Sequence, residues 1–152
     1  MFGAGQEHGI RPGTEPVPLA VGLGAACDFV ARDIKTEAER QTGLRERLYA
    51  ELSKLDHPII RHGDPENTLP NTLSVSFIGK NGTEILARAP EIMASTGAAC
   101  HDRAIKVSHV LAAMGVSPEV AMGTIRLSLG RGITESDIEI AAQAIGRALE
   151  KM

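Results

Sequence analysis

Cys100 ends the run Ser95-Thr96-Gly97-Ala98-Ala99-Cys100, and His101, Arg103 and Lys106 follow it before Ser108-His109-Val110-Leu111. Residues without bulk precede the thiol and cationic ones follow it. A neighbouring cation lowers a thiol's pKa and raises the fraction present as thiolate, the form that attacks. The same stretch also suits a small buried hydrophobe, because free cysteine is among the most buried residue types, and the local sequence leaves both readings open. Cys100, His101, Asp102 and His109 together lack the paired spacing of a metal centre, so no metal is expected.

Arg126 stands in Thr124-Ile125-Arg126-Leu127-Ser128-Leu129, where Ile125, Leu127 and Leu129 alternate with polar residues. That period of two predicts a half-buried strand with Arg126 facing away from the core. There a planar guanidinium can take a carboxylate through two parallel hydrogen bonds, or form a surface ion pair of little energetic consequence. Gly13-Thr14, just ahead of a helix, suits either an anion held by backbone N–H groups or a simple cap. The other cysteine, Cys27, falls between Leu23 and Val30 on an apolar stripe and is expected to pack in the core.

The elements that must position these residues follow from periodicity. Leu23, Cys27, Val30, Ile34, Leu44, Leu48, Leu52 and Leu55 recur at helical steps, predicting one helix from about Pro18 to Leu55, roughly 55 Å long, with Gly43 as a candidate bend. Leu73, Val75 and Phe77 alternate with Thr72, Ser74 and Ser76 as a strand. Asn81 with Glu84 resembles a capping box opening a helix stopped by Pro90, and Glu91–Ala94 reads as a brief strand. Ser108 and Ser117-Pro118 open short helices, and Thr134 with Asp137 caps a terminal helix striped by Ile138, Ala141, Ala142, Ile145, Leu149 and Met152. Together these describe a small α+β sandwich at the end of a long helix.

Composition narrows the function classes. The 152 residues carry 16 Lys+Arg against 19 Asp+Glu, a net charge of −3 with neither sign gathered into blocks, so nucleic acid and membrane surfaces are not expected partners. Two cysteines are too few for a secreted disulfide framework and point to the cytoplasm. Leu19–Ala31 follows Glu7, Glu15, Pro16 and Pro18 rather than a basic segment, so it reads as a helix and not as a signal peptide.

Four segments in order resemble the C-terminal part of the pyridoxal-phosphate-dependent cysteine desulfurases and selenocysteine lyases, in the class V aminotransferase family. They are Gly5-Gln6-Glu7 with Arg11-Pro12-Gly13-Thr14-Glu15, Leu69-Pro70-Asn71-Thr72 with Ser74-Val75-Ser76-Phe77, Ser95–His101 with Ser108–Leu111, and Ile125–Arg131. Each is weak alone, and their order across the chain is what makes the match specific. The resemblance implies the small C-terminal domain of a fold-type I enzyme: residues 1–30 a remnant of the large cofactor-domain segment and the start of a connecting helix, residues 31–152 the small domain, with a mostly antiparallel sheet packed with helices.

It implies further that Cys100 attacks the sulfur or selenium of L-cysteine or L-selenocysteine bound to pyridoxal 5'-phosphate, releasing alanine. Arg126 then pairs with the substrate carboxylate, and Thr14 donates to the cofactor phosphate across a homodimer interface. The step from Cys100 to Ser108 resembles the desulfurases that hand sulfur to scaffold proteins, as in iron-sulfur cluster assembly, whereas Ala98-Ala99-Cys100-His101 looks more like the lyases. None of Lys35, Lys54, Lys80, Lys106 or Lys151 sits in a motif matching the family's Schiff-base lysine. The expectation is therefore a fragment without the cofactor domain: part of a complemented enzyme, a non-enzymatic persulfide carrier, or an inactive truncated product.

Overall fold

Leu44, Leu48 and Leu52 recur every four residues, and these three are what helix α1 (Val17–Ser53) buries in the core. In the computed structural model, which describes residues 3–96 and 108–152, the following elements are a strand β1 (Ile59–His62), a strand β2 (Thr72–Phe77) and helix α2 (Gly82–Arg88). Helices α3 (His109–Ala113) and α4 (Pro118–Met122), strand β3 (Thr124–Ser128) and helix α5 (Glu135–Glu150) complete the chain. The architecture is α+β, and no helix among the described residues is long and apolar enough to cross a membrane.

Two compact units divide the chain, Met1–Thr36 and Glu37–Met152. In the first, a short 3-10 turn at Glu7–Gly9 precedes the start of α1, and Leu19, Val21, Leu23 and Val30 are exposed. Cys27 is exposed with them, which corrects the expectation that it packs in the core. Periodicity reports which helix face is apolar and not whether anything covers it, and the core draws on α1 only from Leu44 onward. The helix α1 runs without interruption through Gly43.

In the second unit β1, β2 and β3 form an antiparallel sheet in that order, with Val75 opposite Arg61 on one side and Ile125 on the other. One face presents Leu73, Val75, Phe77, Ile125 and Leu127, all buried against α1 and against Ile138, Ala142, Ile145 and Leu149 of α5. The stripe predicted for α5 holds at these four positions, whereas Met152 is exposed. The Thr134–Asp137 capping box forms in full. At α2 only half of one forms: Asn81 accepts from the Thr83 N–H, but Glu84 turns to Arg88 instead.

On the other face the polar residues are not all solvent-facing. Ser76 and Thr124 are buried, bonded to each other at 2.7 Å, and Ser76 is also bonded at 2.6 Å to His62 Nε2. Mutual hydrogen bonding is what allows these hydroxyls into the interior.

A buried arginine fixes the loop between β1 and β2. Arg45, 2% exposed, donates to the carbonyls of Leu69 and Pro65 and to Glu46, whose carboxylate also takes two 2.7 Å bonds from Arg61. Arg61 first, then Arg45, hold the Glu46 carboxyl down at about 2, against an ordinary 4.5. Because the folded value lies below the unfolded one, this stabilisation is complete above pH 4.5 and fades as pH falls toward 2. With the Glu46 side chain 43% exposed, solvent screening leaves about 1–2 kcal/mol. Glu46→Gln is expected to lose that much at pH 7 and to flatten the acid limb, as denaturant melts across pH 2–7 can measure.

Candidate functional site

Arg126 occupies the middle of β3, and the alternation Thr124-Ile125-Arg126-Leu127 sends its side chain to the polar sheet face, where it is exposed. Its backbone is satisfied on one side only. The Arg126 N–H donates to Ser95 O at 2.6 Å, and the Ser95 N–H donates to Arg126 O at 3.2 Å. Since both backbone groups of Arg126 point to Ser95, its pairing with Ser74 of β2 is of the non-hydrogen-bonded kind, with Cα atoms roughly 4.5 Å apart. Ser74, Arg126 and Ser95 therefore stand in one row on one face. The brief strand expected over Glu91–Ala94 is absent. Pairing is confined to Ser95, where the segment meets the edge of β3.

Asn71 holds the far end of β3. Its amide donates to Leu129 O at 3.2 Å, its own carbonyl accepts the Leu129 N–H at 2.8 Å, and its side-chain oxygen accepts from Thr72 at 3.1 Å. The segment Leu69-Pro70-Asn71-Thr72 thus serves Arg126 indirectly: Arg45 fixes its start and Asn71 ties it to the strand on which Arg126 stands.

The charge environment of Arg126 differs from that of its neighbours. In the second unit Arg40 pairs with Glu37, Arg45 and Arg61 with Glu46, Arg47 with Glu135 and Glu139, Arg88 with Glu84, and Arg147 with Glu91. The Arg126 guanidinium has no acceptor among the described residues. It lines a cavity of about 250 Å³ with Met93, Ala94, Ser95 and Ser128. An unpaired guanidinium beside a small cavity is equipped to bind a planar anion.

Cys100 lies outside the described residues, as do His101, Arg103 and Lys106. Cys100 lies five residues after Ser95 in the sequence, a tether of about 18 Å at most when fully extended. Thr14 belongs to the first unit and is exposed three residues before α1. There the two halves of its motif close on each other, with the Gly13 N–H donating to Gln6 Oε1 at 2.9 Å and Arg11 donating to Gly13 O at 3.1 Å. Gly13 adopts φ +109°, a conformation that favours glycine.

Pyridoxal phosphate needs a lysine for its carbonyl carbon and a carboxylate for its ring nitrogen. The cavity at Arg126 is lined by neither. Lys80 does share a separate cavity with Asp56 and His57. However, His57 Nε2 is committed to Ile78 O at 3.0 Å and its ring lies 6.1 Å from Phe77, so it is not placed to stack on a cofactor. The described residues do not fit the whole cofactor.

Sequence reasoning singled out Arg126 and its outward direction but missed Asn71 as a lock, Arg45 as a clamp, and Met93 and Ser128 as cavity walls. Ser128 was legible in principle, two residues beyond Arg126 on the same face. Met93 was not, because its position depends on the single bridge at Ser95.

Comparison with known proteins places this geometry. The profile of the class-V aminotransferases matches residues 3–140. The cysteine desulfurase of Rattus norvegicus is 35% identical over 141 residues, covering 93% of this chain and 31% of its own length. The cysteine desulfurase IscS of Escherichia coli is 35% identical over 152 residues, covering 100% of this chain and 37% of its own. A solved NifS-like protein superposes on 100% of the chain with a TM-score of 0.84 at 32% identity, using 39% of its own length. The chain spans about a third of the length of the curated relatives it matches, and it corresponds to their C-terminal part.

Proposed function

The chain belongs to the class-V aminotransferase family, and from that premise we propose that it serves cysteine desulfurase-type transfer of sulfur or selenium, with Arg126 holding the substrate carboxylate and Cys100 accepting the chalcogen. The observation that carries this reading is the Arg126 guanidinium, without an acceptor among the described residues, over a small cavity on the strand to which Ser95 ties the segment leading to Cys100.

In this division of labour the guanidinium binds and orients an amino acid, presenting its sulfur or selenium to the Cys100 thiolate. A new bond forms at the Cys100 sulfur while the bond from substrate chalcogen to carbon breaks. Pyridoxal phosphate supplies, when bound, the electron sink that such a cleavage needs. Because the described residues do not fit it, that part of the chemistry falls to groups other than these. Thr14 would be this chain's contribution to the cofactor, as a hydroxyl that would hold its phosphate in the neighbouring subunit of a homodimer. L-cysteine or L-selenocysteine is the substrate, and the product is alanine with a persulfide or, from selenocysteine, a selenosulfide on Cys100.

The test separates the two halves of the reaction. Incubated with pyridoxal phosphate and L-cysteine, the 152-residue chain is expected to yield no alanine. Given a small-molecule persulfide instead, it is expected to gain one sulfur on Cys100, as peptide mass spectrometry reads directly. Alanine production by the chain alone contradicts the division, and a Cys100 that stays unmodified contradicts its role as acceptor.

A further inference from the structure

The cavity at Arg126 has more specific walls than a carboxylate clamp requires. Arg126 and Ser128 are two apart on β3, so both side chains rise from the same face, about 7 Å apart along the strand. On the far side the antiparallel bridge sets Ser95 opposite Arg126, and that direction carries Met93 toward Ser128. The lining thus offers a guanidinium, the Ser128 hydroxyl and a thioether, with no acidic group.

A carboxylate has about four acceptor sites on its two oxygens, of which a bidentate arginine occupies two. Ser128 is exposed, and its hydroxyl has no hydrogen-bond partner among the described residues, so it is available for a third. At about 250 Å³ the cavity falls below the roughly 300–1,000 Å³ of drug-sized pockets and suits a ligand the size of a small amino acid. Met93 is 94% exposed. Core packing therefore does not explain its position, and an unbranched, polarisable side chain there forms an apolar wall beside the charged end.

We propose that Ser128 and Met93 complete the Arg126 site as an amino-acid pocket, Ser128 as a second donor to the substrate carboxylate and Met93 as the wall that limits the length of side chain admitted. This rests on the reading of Arg126 as the carboxylate clamp and adds the residues that make the site selective. Both side chains are exposed, so neither supports the core.

The test is titration of the isotopically labelled 152-residue chain with L-alanine, which carries no reactive thiol, followed by the amide resonances of Ser95, Arg126 and Ser128. Saturable shifts are expected, weakened about tenfold in Ser128→Ala, as for one hydrogen bond to a charged group. In Met93→Ala, affinity for L-phenylalanine relative to L-alanine is expected to rise about tenfold while L-alanine affinity is kept. A merely structural role for Met93 does not move that ratio. If both variants keep the wild-type affinity and ratio while Arg126→Ala abolishes binding, the pocket assignment is overturned and the arginine clamp survives. If Arg126→Ala binds L-alanine as the wild type does, the clamp fails and the pocket with it.

Discussion

Cys100→Ser is expected to reduce sulfur uptake from a small-molecule persulfide to background, while Cys27→Ser leaves it unchanged. The two cysteines form an internal control. Cys27 is an exposed free thiol on α1, so accessibility alone makes it at least as good a target for non-specific chemistry. What distinguishes Cys100 is its place in the sequence, five residues after the Ser95 that bridges β3. A serine hydroxyl at the same position cannot form the persulfide. Equal labelling of the two cysteines in the wild-type chain removes the distinction on which the acceptor role depends.

Gly123→Ala is expected to cost about 3 kcal/mol or more and to unfold much of the chain at room temperature. A Cβ at Gly123 falls on the carbonyl oxygen of Phe77 and lies 3.1 Å from that of Lys80. Both are backbone atoms, so no side chain can swing aside to relieve the overlap. The same glycine accepts the Phe77 N–H at 3.0 Å, joining α4 to the end of β2 just before β3 begins. Forcing these segments apart disturbs the pairing of β3, on which Arg126 depends. Gly130→Ala is the control, since nothing lies within 4 Å of its Cβ position, and it is expected to melt close to the wild type. Denaturant melts of the two variants measure the difference.

Much of this fold was legible because its signals are local. Alternation across Thr72–Phe77 and Thr124–Ser128 marked two strands and the direction of Arg126, and Thr134 with Asp137 marked the start of α5. The misreadings share one physical origin, dependence on a partner distant in sequence. Cys27 lies on an apolar stripe that is exposed, and Glu91–Ala94 has strand-like composition but leads only to a single bridge at Ser95 among the described residues. Arg45 is the converse: a charged residue beside Leu44 is buried because the carbonyls of Leu69 and Pro65, 24 and 20 positions away, accept its donors. Thr124 was expected on the solvent side and is buried because Ser76 satisfies its hydroxyl.

Arg126 is expected to read a carboxylate on the molecule whose sulfur Cys100 takes, which this chain can show without any cofactor. L-cysteine persulfide and its decarboxylated counterpart, cysteamine persulfide, carry the same transferable sulfur. In each case the Cys100 thiolate attacks the outer sulfur, a new S–S bond forms at Cys100, and the donor's S–S bond breaks with its electron pair leaving on the donor thiol. The decisive measurement is the ratio of the two transfer rates onto Cys100, in the wild type and in Arg126→Ala. Loss of a charged hydrogen-bonded contact is worth about 1.5–3 kcal/mol, so the wild type is expected to prefer the carboxylate-bearing donor by about tenfold to a hundredfold, and Arg126→Ala to take both alike. Equal rates in the wild type, or a preference that survives loss of the guanidinium, contradict the account.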